Sequence, residues 1–363
     1  MTQKIAFLEH KPMEPEHHAR RPTTWRRNSI MDRLYSGSTS RGVRFFEEGW
    51  GPEEQIAAFQ ELPSRVGKPA PLDLLWTWRR KHRGVLLQRG VFVSPMASPI
   101  LPPESHRAHV LLVLPSGQPP VLTPGATPNS LGPIALHLAA TGDEGFSRRL
   151  HAFALPLARH GIASIILENP YYGARKPRRQ TNVYLNAFTD LLIMGETTVR
   201  EGWALLEWLG DRGFGPLAVT GVSMGGHMSL IIGAVTRRPV AITPCIGMHS
   251  AAPVFADGIM SEQLAWDVLG ADLGGEQAAR QRVRDILAAS DVRRYPMPTR
   301  PDATVCISAL RDAYVHNGSI EQVRDHWPGT EIRWVRAGHV RAYVSYGAVF
   351  RQAILDSLER LSS

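Results

Sequence analysis

From Gly84 to the C-terminus, short apolar runs alternate with longer stretches whose apolar positions recur every three or four residues. The runs fall at 108–114, 133–139, 162–167, 217–220, 240–243, 304–308 and 331–335, and β-branched residues are frequent in them. Apolar character at successive rather than alternate positions is expected of strands covered on both faces. The periodic stretches 148–160, 186–209, 226–236 and 343–361 read as helices. Strand–helix alternation of this kind predicts an α/β fold with a mostly parallel central sheet flanked by helices. Residues 84–96 read as one further strand paired with 108–114, and the Gly- and Pro-rich 116–132 reads as an exposed loop. Upstream, 31–83 reads as helical in pieces, broken at Gly51-Pro52, at Pro63 and at Lys68-Pro69-Ala70-Pro71. Residues 1–30, polar and aperiodic, read as a flexible arm.

One junction carries chemistry. Gly221-Val222-Ser223-Met224-Gly225-Gly226 is a GxSxG placed directly after a predicted strand and directly before a predicted helix. A sharp turn there holds the serine hydroxyl exposed, and the flanking glycines remove Cβ atoms that would collide. The helix start supplies partial positive charge and the Met224 amide to a developing oxyanion. An alcohol oxygen needs a base, and the base needs an orienting acid, which follow in the chain order Ser, acid, His. Asp312, just past the 304–308 strand, and His339, just past 331–335 and preceded by Gly338, fill those places. Asp291 and Asp302 precede the strand and rank lower. His227 reads as a residue packing beneath the sheet, and His137 as a hydrogen-bonding group near the oxyanion turn. The loop Ala139–Asp143 is expected to give the second oxyanion amide, from Thr141, with Ala140 or Gly142 as neighbours in register. Residues 248–300, inserted between two core strands, are expected to form a small lid, with Pro253, Val254, Phe255, Ile259 and Met260 lining an acyl pocket. A helix pair packed on the sheet is the alternative.

Composition narrows the setting. Apolar residues are 43% and charged residues 20% of 363, ample for a packed core. No apolar run approaches the ~18 residues of a membrane-spanning helix. Cys245 and Cys306 offer neither a zinc-type spacing nor a disulfide framework, so a cytoplasmic setting is expected. The first 33 residues lack an apolar core and carry Glu9, Glu14 and Glu16, unlike a secretory or transit signal. The net charge of +8 is spread out, with no nucleic-acid-binding motif beside it, so nucleic acid is not an expected partner. Arg175, Lys176, Arg178 and Arg179 follow the fourth strand, and Arg175 and Lys176 are expected to attract an anionic head group.

The stretch from Gly215 to Met228 resembles the alpha/beta-hydrolase domain-containing protein 18 family. So do Leu167-Glu168-Asn169-Pro170-Tyr171-Tyr172-Gly173 with Arg175-Lys176-Pro177, Val93-Ser94-Pro95-Met96, Thr141-Gly142-Asp143, and Trp327-Pro328-Gly329 leading to Gly338-His339. The likeness runs from about residue 31 to the C-terminus. This chain departs from the family in lacking a long polar insertion before the acid strand and in carrying Ala140 where Gly is usual. The resemblance implies an α/β-hydrolase domain over 31–363, Ser223 as nucleophile, and acyl-ester activity on phospholipids such as cardiolipin. It also brings in peripheral membrane contact and a mitochondrial location. The expectation is a serine hydrolase that uses Ser223, His339 and Asp312 on a lipid-like acyl ester, with no metal or organic cofactor. A catalytically silent ligand-binding scaffold and an acyltransferase with the same triad are the alternatives.

Overall fold

The continuous apolar runs become buried strands, and the computed structural model describes residues 31–33, 43–64, 67–118, 127 and 129–363. The expected arm at 1–30, and residues 119–126 and 128 of the expected exposed loop, lie outside the described residues. The strands are β1 (Leu75–His82), β2 (Val85–Val93), β3 (Arg107–Leu114), β4 (Ile134–Leu138), β5 (Ala163–Leu167), β6 (Leu217–Val222), β7 (Val240–Cys245), β8 (Val305–Ala309) and β9 (Glu331–Val335). They form one sheet in the order β1-β2-β3-β5-β4-β6-β7-β8-β9. From β5 to β9 neighbouring strands are parallel, while the β1–β2, β2–β3 and β3–β5 pairs are antiparallel. Every residue of β4, β5, β6, β7 and β8 is buried, which accounts for their unbroken apolar character.

Among the helices, α1 (Glu53–Gln60), α2 (Phe188–Asp211), α3 (Met224–Val235), α4 (Glu276–Leu287), α5 (Asn317–His326), α6 (His339–Ser345) and α7 (Gly347–Ser362) matter for the site. The start of α2 is set by Asp190, whose carboxylate accepts the Ala187 amide at 2.9 Å and satisfies a donor that the helix cannot. No helix among the described residues is long and apolar enough to cross a membrane.

Three elements differ from expectation. The helical reading of 31–83 fails at 75–82, which is the edge strand β1. There Trp76 and Trp78 suit a pleated surface, and Arg83 and Gly84 at φ 49° and 80° make the tight turn into β2. The Trp76 ring lies edge-on to Trp208 of α2 at 6.3 Å, a long-range contact that local periodicity does not contain. The helix expected at 148–160 is interrupted by a wide π turn over Leu150–Ala154, just before Pro156. Proline has no N–H for the carbonyl of Ala152, and Arg351 Nη1 donates to that oxygen instead at 2.9 Å. The single helix expected at 343–361 is two, α6 and α7, separated at Tyr346.

Arg175 and Glu201 tie the loop after β5 to the middle of α2. Both side chains have no exposed surface, and Nη1 and Nη2 of the guanidinium donate to the two carboxylate oxygens at 2.8 and 2.6 Å. The same nitrogens also donate to the carbonyls of Glu168 and Ser105, each at 2.8 Å. A buried pair of this kind resists removal of one partner, because the other charge is left without solvent or counter-ion. Glu201→Ala is expected to lower the unfolding free energy by about 3–5 kcal/mol, read as a lower urea midpoint at unchanged slope.

Candidate active site

The nucleophile candidate is placed by the meeting of β6 and α3 with only Ser223 between them. Ser223 adopts φ 57° and ψ −115°, a conformation that L-residues rarely hold and that costs about 1–3 kcal/mol. The turn is tight enough that a Cβ on Gly221 would lie 2.4 Å from the carbonyl carbon of Gly225, and one on Gly225 would lie 2.7 Å from the Leu138 carbonyl oxygen. Backbone cannot move aside as a flexible side chain can, so these two positions admit only glycine.

The loop after β8 carries Asp312 and the start of α6 carries His339, so both reach the carboxyl edge of the sheet beside Ser223. His339 Nδ1 lies 2.7 Å from Asp312 Oδ2, and Nε2 lies 2.9 Å from Ser223 Oγ. A carboxylate accepts only, so Nδ1 carries the proton and Nε2 presents a lone pair to the serine hydroxyl, which donates to it. Asp312 Oδ1 accepts the Tyr314 and Val315 amides, each at 2.8 Å, which fixes the carboxylate's orientation. Burial of the imidazole disfavours its charge, but the Asp312 carboxylate and, more weakly, that of Asp32 outweigh burial and raise its pKa above the ordinary value.

Thr141 and Met224 line the same cleft as Ser223. Met224 is the first residue of α3, so its amide has no acceptor within the helix. Thr141 is in a turn closed by the Asp143 amide on the Ala140 carbonyl at 3.0 Å, with Gly142 at φ 73°. Behind that turn Asp143 forms a buried pair with Arg149, Nε to Oδ2 2.9 Å, and Arg149 Nη2 donates to the Gly145 carbonyl at 2.6 Å. Asp143 thereby holds the Thr141 turn to the helical stretch behind it.

Other expectations are corrected. Arg175 cannot attract a head group, since its guanidinium is wholly buried on Glu201. Lys176 is paired with Glu144 at 2.6 Å, and neither residue lines the cleft. Their charges are engaged by the buried Glu201 and the exposed Glu144, and the positive run in the sequence did not reveal those partners. His227 does not pack beneath the sheet. It lines the cleft and its Nδ1 donates to the Met248 carbonyl at 2.8 Å, with burial pushing its pKa down to about 4 so that it stays neutral. His137 bonds Ser164 Oγ on the neighbouring strand at 3.0 Å rather than the oxyanion turn. Asp291 and Asp302 are engaged by Arg293 and Arg300.

The cleft encloses about 960 Å³, part of it open to solvent, and its walls are mostly apolar. Val254, Phe255 and Met260 contribute, as expected from the 248–300 segment, whereas Pro253 and Ile259 do not line it. The sequence reading missed the share taken by the N-terminal segment. Phe45, Phe59 and Leu62 line the same cleft, and Phe45 is stitched to the insertion by its amide on the Gln263 carbonyl (2.8 Å) and its carbonyl on the Ala265 amide (3.0 Å).

Among solved structures, the fold is similar to an acetyl xylan esterase from Paenibacillus sp. R4, with a TM-score of 0.54 and 16% identity, covering 90% of this chain and 94% of that one. It is similar as well to acetyl xylan esterase 1 from Thermoanaerobacterium sp. JW/SL YS485, with a TM-score of 0.53 and 13% identity, covering 91% of this chain and 99% of that one. At such identities the likeness concerns the fold alone. A family model described as alpha/beta hydrolase domain containing 18 matches residues 43–279 and 274–360, and the chain belongs to that family.

Proposed function

We propose that this protein is a serine hydrolase that cleaves a lipid-like acyl ester. The observation carrying the reading is the unbroken relay Asp312–His339–Ser223, at 2.7 and 2.9 Å, opening onto a deep apolar cleft. Ser223 Oγ attacks the ester carbonyl carbon while its proton passes to His339 Nε2. The carbonyl π pair moves onto oxygen, and the amides of Met224 and Thr141 stabilise that oxyanion. The intermediate collapses to the acyl-enzyme as the C–O bond to the alcohol breaks, and the imidazolium returns its proton to the leaving oxygen. A water then repeats the sequence, releasing the acid and restoring Ser223. Asp312 stabilises the imidazolium in both halves.

The apolar walls support the substrate class. An apolar cleft offers an acyl chain about 0.8 kcal/mol for each methylene it removes from water. The 248–300 insertion and the 43–64 segment together act as the lid over that chain.

Three outcomes test the reading. Ser223→Ala is expected to abolish labelling by a fluorophosphonate probe while the far-UV circular dichroism is unchanged; labelling of that variant at the wild-type rate refutes the nucleophile. His339 must be neutral to accept the proton. Its raised pKa therefore places the acid limb of the kcat/KM profile above the ordinary histidine value near 6.5, with activity lost as pH falls through it. Gly195 of α2 lines the cleft, and a Cβ there meets only Met228 Cε at 3.9 Å, so a longer side chain can project into the space. Gly195→Leu, by excluding two or three methylenes, is expected to lower kcat/KM for p-nitrophenyl decanoate relative to the acetate about 15–60-fold. An unchanged ratio places the acyl chain elsewhere.

A further inference from the structure

A carboxylate far from the triad in sequence holds its histidine. Asp32, in a short helical stretch at 31–33, is fully buried. Its Oδ2 accepts the His339 amide at 2.9 Å and the Ala313 amide at 3.2 Å, and its Oδ1 accepts the Val340 amide at 3.0 Å. His339 and Val340 are the first two residues of α6, whose leading amides have no acceptor within the helix, and Gly338 before them has no side chain to supply one. Ala313 directly follows Asp312. One carboxylate therefore bonds backbone on both sides of the acid–histidine pair.

The two loops also share backbone bonds at their bases, Leu310 to the Val335 carbonyl at 3.0 Å and Arg311 to the Ala337 carbonyl at 2.9 Å. Beyond those rungs, Asp32 spans from Ala313 to His339 and Val340. A carboxylate that accepts backbone amides makes charge-assisted bonds, stronger than neutral ones and directional. Small displacements of a general base cost rate steeply, because the lone pair must meet the hydroxyl proton along one line.

We infer that Asp32 is a positioning residue for the triad, clamping the His339 turn to the Asp312 loop so that the imidazole stays in register with Ser223. This rests on the triad reading above. The N-terminal segment is then part of the catalytic apparatus in two ways, through Asp32 at the histidine and through Phe45 and Phe59 at the cleft. Among the described residues, the ionisable groups facing the imidazole are Asp312 and Tyr314 from the acid loop, the latter with its ring 5.0 Å away, and Asp32 from the N-terminal stretch. Removing the Asp32 charge removes one of the influences that raise the His339 pKa.

The test compares full-length wild type with Asp32→Asn, nearly isosteric but presenting an NH₂ where the amides need an acceptor. For Asp32→Asn, kcat on a p-nitrophenyl ester and the fluorophosphonate labelling rate are expected to fall about 10–100-fold, with KM within about twofold. The acid limb of the labelling rate is expected to move to lower pH, a change that a purely structural role would not produce. A folded Asp32→Asn with wild-type kcat and an unmoved acid limb overturns the inference. If the variant melts below the assay temperature, amide hydrogen exchange in the wild type decides: slow exchange at both His339 and Val340 supports the clamp, and exchange at the rate of a free helix end refutes it. Absence of labelling in wild type, or its persistence in Ser223→Ala, defeats the triad reading instead, so the two failures are separable.

Discussion

Ser223 holds a positive φ because it is the single residue that connects β6 to α3, and the surroundings are built to keep it there. Gly221 and Gly225 let the two backbones approach within distances that no Cβ permits. The Ser223 amide donates to the Cys245 carbonyl on β7 at 2.9 Å, anchoring the strained residue to the next strand. A strain of about 1–3 kcal/mol persists only where many neighbours over-determine it, and the buried parallel strands supply that rigidity. The hydroxyl's exposure, the aim of the α3 amides and the room for an imidazole all follow from this one turn.

A rigid turn alone positions only one of the three groups. Asp312 and His339 come from loops at the ends of β8 and β9, and loops have more freedom than strands. Their order comes from carboxylates that accept backbone amides: Asp312 from Tyr314 and Val315, Asp32 from Ala313, His339 and Val340. The Thr141 turn is held in a related way, through the buried Asp143–Arg149 pair. Buried acidic groups with defined partners recur around the site because each bond is directional, and directional bonds fix geometry that apolar packing leaves loose. Arg175 and Glu201 apply the same device one loop away, so a positive run in the sequence proves to be internal scaffolding.

The cleft is assembled differently. Most of its walls come from the N-terminal segment, α2, α3 and the 248–300 insertion, and Thr141, Tyr172, Leu185, Tyr314 and Val315 complete them. Aromatic contacts join them, with Phe45 against Tyr184 at 4.5 Å and against Phe255 edge-on at 6.4 Å. Backbone bonds add to that packing, from Phe45 to Gln263 and Ala265 and from Phe46 to Leu185.

The α/β architecture was legible in the linear chain because doubly covered strands must be apolar at every position, and the GxSxG between a strand and a helix marked Ser223 for the same local reason. That Asp312 and His339 come to lie beside Ser223 was legible too, since the ends of later strands meet at one edge of a parallel sheet. What folding alone decided are the relations that carry no local signal. Asp32 is separated from His339 by nearly the whole chain, and nothing around it in sequence distinguishes it from a surface acid. Arg175 reads as a solvent-facing charge until Glu201 arrives from α2. The edge strand β1 sets Trp76 against Trp208, and the N-terminal share of the cleft is bonded to the insertion through Phe45. Local pattern records which face of an element is buried; which partner buries it, and which charge answers which, is settled only when distant segments meet.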